Sequence, residues 1–295
     1  MASPSPTKPV RARPLVPADK DQAIACLLRN FPERDDAYWQ RGWKRLAARE
    51  RFVDLPRFGH CLDSGGAIVG VLLMIYSTRG EGANATVVAN LSSWCVDVPF
   101  RAFSGGLTAA ATRSKSVLYL NISAAPHTWQ GVEAQGYRLY NAGQHLFAPL
   151  LAKRAPGARA RLFDANVAPS ALADDERALL ADHAKLGCKT FVVDCDGRSH
   201  AFATVEDRVL RGKIKCEQVV YCAGEETLRR FAGVIGRDLR LGLMIVDANG
   251  PIPGLPGIFI AGRSRKYAKG PVQPTLGDLA YTELTYFGRD PLTGL

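Results

Sequence analysis

No stretch of this sequence approaches the roughly eighteen consecutive apolar residues that a membrane span requires, and the strongest run, Ala67 to Tyr76, has the length of a buried strand. The opening MASPSPTKPVRARP lacks an apolar core and a small-residue cleavage site. It reads as a disordered, proline-rich lead-in over 1–9 and not as a secretory signal. Cysteine is sparse and unpatterned. Cys26, Cys61, Cys95, Cys188, Cys195, Cys216 and Cys222 are odd in number and contain no Cys-x-x-Cys pair, which suggests neither a disulfide framework nor a zinc site. The expectation is reduced thiols in a cytoplasmic protein that holds no metal. Also missing is a basic stripe interleaved with aromatic residues. The formal net charge of +10 is spread along the chain as arginine, which suits a small polyanion and ranks nucleic-acid binding last.

What is present is the make-up of a globular protein. With 47% hydrophobic and 22% charged residues over 295 positions, the chain is long enough to fill two cores. A short strand from Val10 leads to Asp19, placed to cap a helix over Lys20 to Asn30 whose Ala23, Ile24, Leu27 and Leu28 share a face. A second helix, Asp36 to Glu50, carries Tyr38, Trp39, Trp43 and Leu46 as one stripe, either core or the wall of an acceptor pocket. Phe58 to Leu62 and Ala67 to Tyr76 read as strands joined by the hairpin signal Asp63-Ser-Gly-Gly66.

The chain is organised around Thr86 to Gly143. Thr86 to Val96 is β-branched and aromatic enough for a strand, which Pro99 stops because proline has no N–H for the ladder. Arg101-Ala-Phe-Ser-Gly-Gly106 then opens an alanine-rich helix, and free N–H groups at such a turn favour an anion. The bland alternative is a Gly-Gly pair that lets a helix pack closely on a sheet. A strand at Val117 to Ser123 and a second helix ending in Gly136-Tyr137-Arg138 follow.

This order of strand, Arg-x-x-x-x-Gly turn, helix, strand and Gly-Tyr-Arg resembles the acyl-CoA-binding half of the GCN5-related N-acetyltransferase superfamily. The resemblance implies an α/β fold of two tandem acyl-CoA N-acyltransferase-like lobes, each a mixed, mostly antiparallel sheet flanked by helices. It implies acetyl-CoA or another acyl-CoA as substrate, held at Val96, Val98, Arg101, Ser104, Gly105 and Gly106, with Ser104 standing where the family has a glycine. Acyl transfer would occur where the strand at 86–96 splays from its neighbour. The acceptor would be a small-molecule or peptide amine, and a homo-oligomer is compatible. The tyrosine that supplies a proton in many members would fall at Val132, which has none to give. His127, Tyr137 and Tyr140 are the substitutes, with Glu133 as a base; Cys95 is either a nucleophile or a small buried hydrophobe.

Residues 10–150 would form the acyl-CoA-binding domain, 151–160 a solvated linker, and 161–295 a degenerate second copy without the Arg-x-x-Gly-x-Gly turn. In that copy the run Arg263-Ser-Arg-Lys-Tyr-Ala-Lys269 reads as solvated charge or, alternatively, as an anion or acceptor site with Asp278 or Glu283. A catalytically inactive binding or interaction protein is the alternative to an N-acyltransferase.

Overall fold

The computed structural model describes residues 8–50, 52–80, 82, 85–167, 171–210 and 212–288, so most of the expected lead-in lies outside the described residues. In chain order the elements are β1 (Val10–Pro14), α1 (Lys20–Asn30), α2 (Asp36–Ala47), β2 (Gly59–Ser64), β3 (Ala67–Arg79), β4 (Thr86–Val96), α3 (Ser104–Ala111), β5 (Val117–Asn121), α4 (Trp129–Ala134) and β6 (Arg138–Phe147). Then come β7 (Arg159–Leu162), α5 (Asp174–Lys185), β8 (Lys189–Cys195), β9 (Arg198–Val209), β10 (Ile214–Tyr221), α6 (Glu225–Asp238), β11 (Met244–Ala248), β12 (Gly257–Lys269) and α7 (Glu283–Tyr286). Among the described residues no helix is long and apolar enough to cross a membrane. All seven cysteines are free and buried.

The chain forms two compact units, 1–138 with 267–272 and 139–266 with 273–295. In the first, β1 through β4 form an antiparallel meander, and β5 lies parallel to β4 with α3 as the crossover. The end of β12, Tyr267 to Lys269, pairs with β5. The hairpin between β2 and β3 turns on Gly65 and Gly66, both at positive φ, where a side chain would be strained. Leu107 and Ala111 of α3 join Leu62, Leu72, Met74, Tyr119 and Val132 in one core, while α1 packs on β3 and β4. Trp39, Trp43 and Leu46 are buried, and Trp43 stacks on Phe58 at 4.2 Å. These aromatics are core. Asp19 does not cap α1: its carboxylate accepts two bonds from Arg13 and one from the Val16 N–H. Asp97, just past β4, accepts from Arg29 and Asn30 and so pins the end of α1 beside the turn that follows.

The second unit repeats the scheme. β7 to β10 are antiparallel neighbours, α6 crosses over, and β11 lies parallel to β10. β6 then flanks β11 antiparallel, although in sequence it follows α4. The stretch expected to be a solvated linker instead puts Ala152, Ala155 and Ala158 into this unit's core, and Arg154 pairs with Asp238. Small alanines let it lie close to α6, whose Gly233 and Gly236 leave no room for a Cβ against its backbone. The run at 263–269 is likewise not a solvated charge run. It is the last part of β12, with Arg263 at 7% and Lys266 at 1% exposure, and Lys266 donates to Asp247 at 2.8 Å.

Candidate functional site

In the first unit the ladder between β4 and β5 runs from Val87↔Val117 to Leu91↔Asn121 and stops. β4 continues for five residues, Ser92 to Val96, still paired with β3 on its other side. The parting has a local cause. Leu72 faces both Ser93 and Trp94, a β-bulge, and Ser93 takes φ of +53°. A bulge bends its strand and sharpens its twist, and here it begins two residues past the last β4–β5 pair. Among the described residues the outer backbone edge of β4 is thereby left without a strand partner. Nothing in the sequence marks Ser93 for this conformation, which costs a non-glycine residue about 1–2 kcal/mol.

The turn after β4 differs from the expected cradle of free amides. Val98–Phe103 is a 3-10 helix that runs directly into α3; the Phe100 N–H is taken by the Asp97 carbonyl at 2.8 Å, and the Ser104 N–H by the Arg101 carbonyl. These i to i+3 bonds take up amides that an open turn would leave free. Pro99 explains the winding: its fixed φ ends the strand and equally starts a helix. What the turn still offers an anion is the Arg101 guanidinium, exposed and in no ion pair among the described residues, the Ser104 hydroxyl, and the partial positive charge of the helix start. Val98 is 63% exposed, whereas Val96 is core.

Gly105 and Gly106 are exposed, and a Cβ on either would meet nothing within 4 Å. Close packing of helix on sheet therefore does not explain the pair. Two glycines in an exposed helix each cost about 0.5–1 kcal/mol relative to alanine, so a bare backbone flank is maintained here against propensity.

The catalytic candidates are dispersed. His127, in a 3-10 turn over Pro126–Thr128, and Glu133, on α4, are both exposed in the first unit. Tyr140 belongs to the second unit, where its hydroxyl is buried without a hydrogen-bond partner. Burial, then the charges of Asp247 and Asp278, push that phenol well above its ordinary pKa. Tyr137 is core, with burial first among the causes that raise it. Hydrogen bonding to Cys26 and burial push the Cys95 thiol up, which leaves it a buried hydrophobe and not a nucleophile.

The parallel pair of the second unit is different. β10 and β11 pair only at Glu217↔Met244 and Gln218↔Ile245. Where they part, the chain's own later segment touches both: the Leu279 N–H donates to the Val220 carbonyl at 2.7 Å, and Gly277 sits against Cys222 and Val246. Leu279 and Ala280 are each 1% exposed. The first turn of α6 carries Glu225 and Glu226, which repel an anion. Asp278 and Glu283 therefore sit on the segment that fills this gap or continues from it.

No protein-family model matches the sequence, and no curated protein does. Among solved structures, the chain is similar to a GCN5-related N-acetyltransferase from Anabaena variabilis, with a TM-score of 0.59 at 8% identity over 88% of this chain and 72% of that one. One from Kribbella flavida gives 0.56 at 14% identity over 89% and 71%. A probable N-acyltransferase from Enterococcus faecalis gives 0.55 at 10% identity over 92% and 73%.

Proposed function

From a chain that has the fold of the GCN5-related N-acetyltransferases, we propose an acyltransferase that takes acetyl-CoA or another acyl-CoA into the first unit and moves its acyl group to an amine. The observation that carries this is the unpaired outer edge of β4 from Ser92 to Val96, opening beside a bare, cation-flanked helix start. An extended amide-bearing chain can complete such an edge as a further strand would. Its diphosphate would lie at Arg101, Ser104, Gly105 and Gly106, with Val98 against the apolar part. The amine nitrogen attacks the thioester carbonyl, the C–N bond forms as the C–S bond breaks, the thiolate takes a proton and the nitrogen loses one. Of the candidates for proton transfer, exposed His127 and Glu133 are the ones able to exchange protons with a bound acceptor. The second unit is read as a related copy whose gap is filled and which does not bind the cofactor.

A second reading, an acyl-CoA-binding protein without transferase activity, is favoured by the wound 100–104 amides and by Val132 in the core at the tyrosine's place. Acetyl-CoA and a panel of small and peptide amines, followed by thiol release, separate the two. The transferase reading expects acceptor-dependent release that falls in His127→Ala or Glu133→Gln. Binding of acetyl-CoA with no acceptor turned over would establish the second reading instead.

A further inference from the structure

We propose that the first unit carries a separate anion site, suited to a phosphate monoester, at the end of α3 remote from the Arg101–Gly106 turn. α3 is eight residues, about 12 Å, long. Beyond its last turn a recess of about 510 Å³ opens against the start of β5 and the end of β12. Cations from three segments line it: Arg113 just past α3, Lys115 in the loop to β5, and Lys269 at the end of β12. Among the described residues none of the three forms an ion pair.

A helix C-terminus attracts cations by itself, which accounts in part for Arg113 and Lys115. It does not account for Lys269, which arrives on another strand and sits 5.7 Å from the centre of the Tyr137 ring. The site also has a built polar floor. Thr112 and Tyr119, both lining residues, are 5% and 2% exposed, with Ser114 between them at the rim. Next to the Thr112 side chain lies the Tyr137 hydroxyl, buried on a residue only 4% exposed, so the inner side of the recess carries polar groups and not apolar ones alone. Nearby, the His60 Nδ1 is buried and unpartnered; burial, and then the positive charge of Arg113, hold that ring down to about 4.

Three unneutralised cations exceed what one carboxylate needs, and they match the double charge and three terminal oxygens of a phosphate monoester. The recess is open on one side, which leaves room for the organic part of the ligand to extend into solvent. This site does not depend on the coenzyme A reading.

The test is titration of the full chain with inorganic phosphate and with phenyl phosphate, followed by amide chemical shifts. Saturable shifts are expected at Thr112 to Tyr119 and at Lys269 and Gly270. Arg113→Gln with Lys269→Gln should weaken them about tenfold or more, while coenzyme A affinity, measured on the same protein, stays within about twofold. Arg113 and Lys115 are exposed, so Arg113→Gln with Lys115→Gln provides a second variant with little risk to folding. Absence of saturable shifts, or shifts that persist in both variants, would overturn the proposal. So would loss of coenzyme A affinity in these variants, because the recess would then serve that ligand's own phosphates. Tighter binding of a single-stranded oligonucleotide across a wider surface would overturn it as well.

Discussion

Gly106→Val is expected to weaken coenzyme A binding about tenfold or more, roughly 1.4 kcal/mol, while leaving the first unit as stable as before. The two halves of that expectation have separate causes. A Cβ at Gly106 meets nothing within 4 Å, and valine and glycine differ little in a helix, so the fold has no reason to respond beyond about 0.5 kcal/mol. A diphosphate approaching the flank of α3 would meet two methyl groups where it now finds bare backbone. Gly105→Ala with Gly106→Ala should raise stability and lower affinity together, a pairing that no packing role for the glycines produces. Thermal melts and isothermal titration of the same samples read both effects. Unchanged affinity in Gly106→Val would remove the diphosphate from this turn.

Lys266→Met is expected to destabilise the second unit by about 3–5 kcal/mol, because it strands the Asp247 carboxylate in the interior. Both side chains are 1% exposed, and the ammonium donates to Asp247 Oδ1, to the Ser264 carbonyl and to the Ser264 hydroxyl. Gln144 donates to the same carboxylate oxygen and to Gln218, so the charge pair sits inside a hydrogen-bonded row across neighbouring strands. Adding Asp247→Leu to Lys266→Met should recover most of the loss, since an apolar pair avoids the desolvation that an orphaned charge cannot. A urea-unfolding midpoint that barely moves in the single variant, or that falls further in the double, would show that the pair does not matter to this core.

The elements with strong local signals were legible in the sequence. The bounds of α1 and β4 match the amphipathic and β-branched patterns to the residue, and the hairpin turn at Gly65–Gly66 follows from its own chemistry. What could not be read depended on partners distant in the chain. The lysine and arginines of β12 look solvated until Asp247 and Gln144 are brought to them by pairing across the sheet. The supposed linker looks polar because Lys153, Arg154 and Arg159 dominate it, yet its alanines are what α6 needs. The site was half legible: strand, turn and helix were readable, and so was their likeness to a known fold. The winding of 98–103 was signalled by Pro99, which begins a helix as readily as it ends a strand. The bulge at Ser93 had no signal, and Tyr140 looked available only while its unit was unknown.

Amide hydrogen exchange with and without acetyl-CoA tests directly whether the parted strand receives the cofactor. Slowed exchange is expected in the segment from Ser92 to Val96 and around Gly105 and Gly106, with Val219 to Tyr221 of the second unit unchanged. Binding that leaves 92–96 as exchangeable as before, or that protects the second unit's strands in its place, would contradict the account.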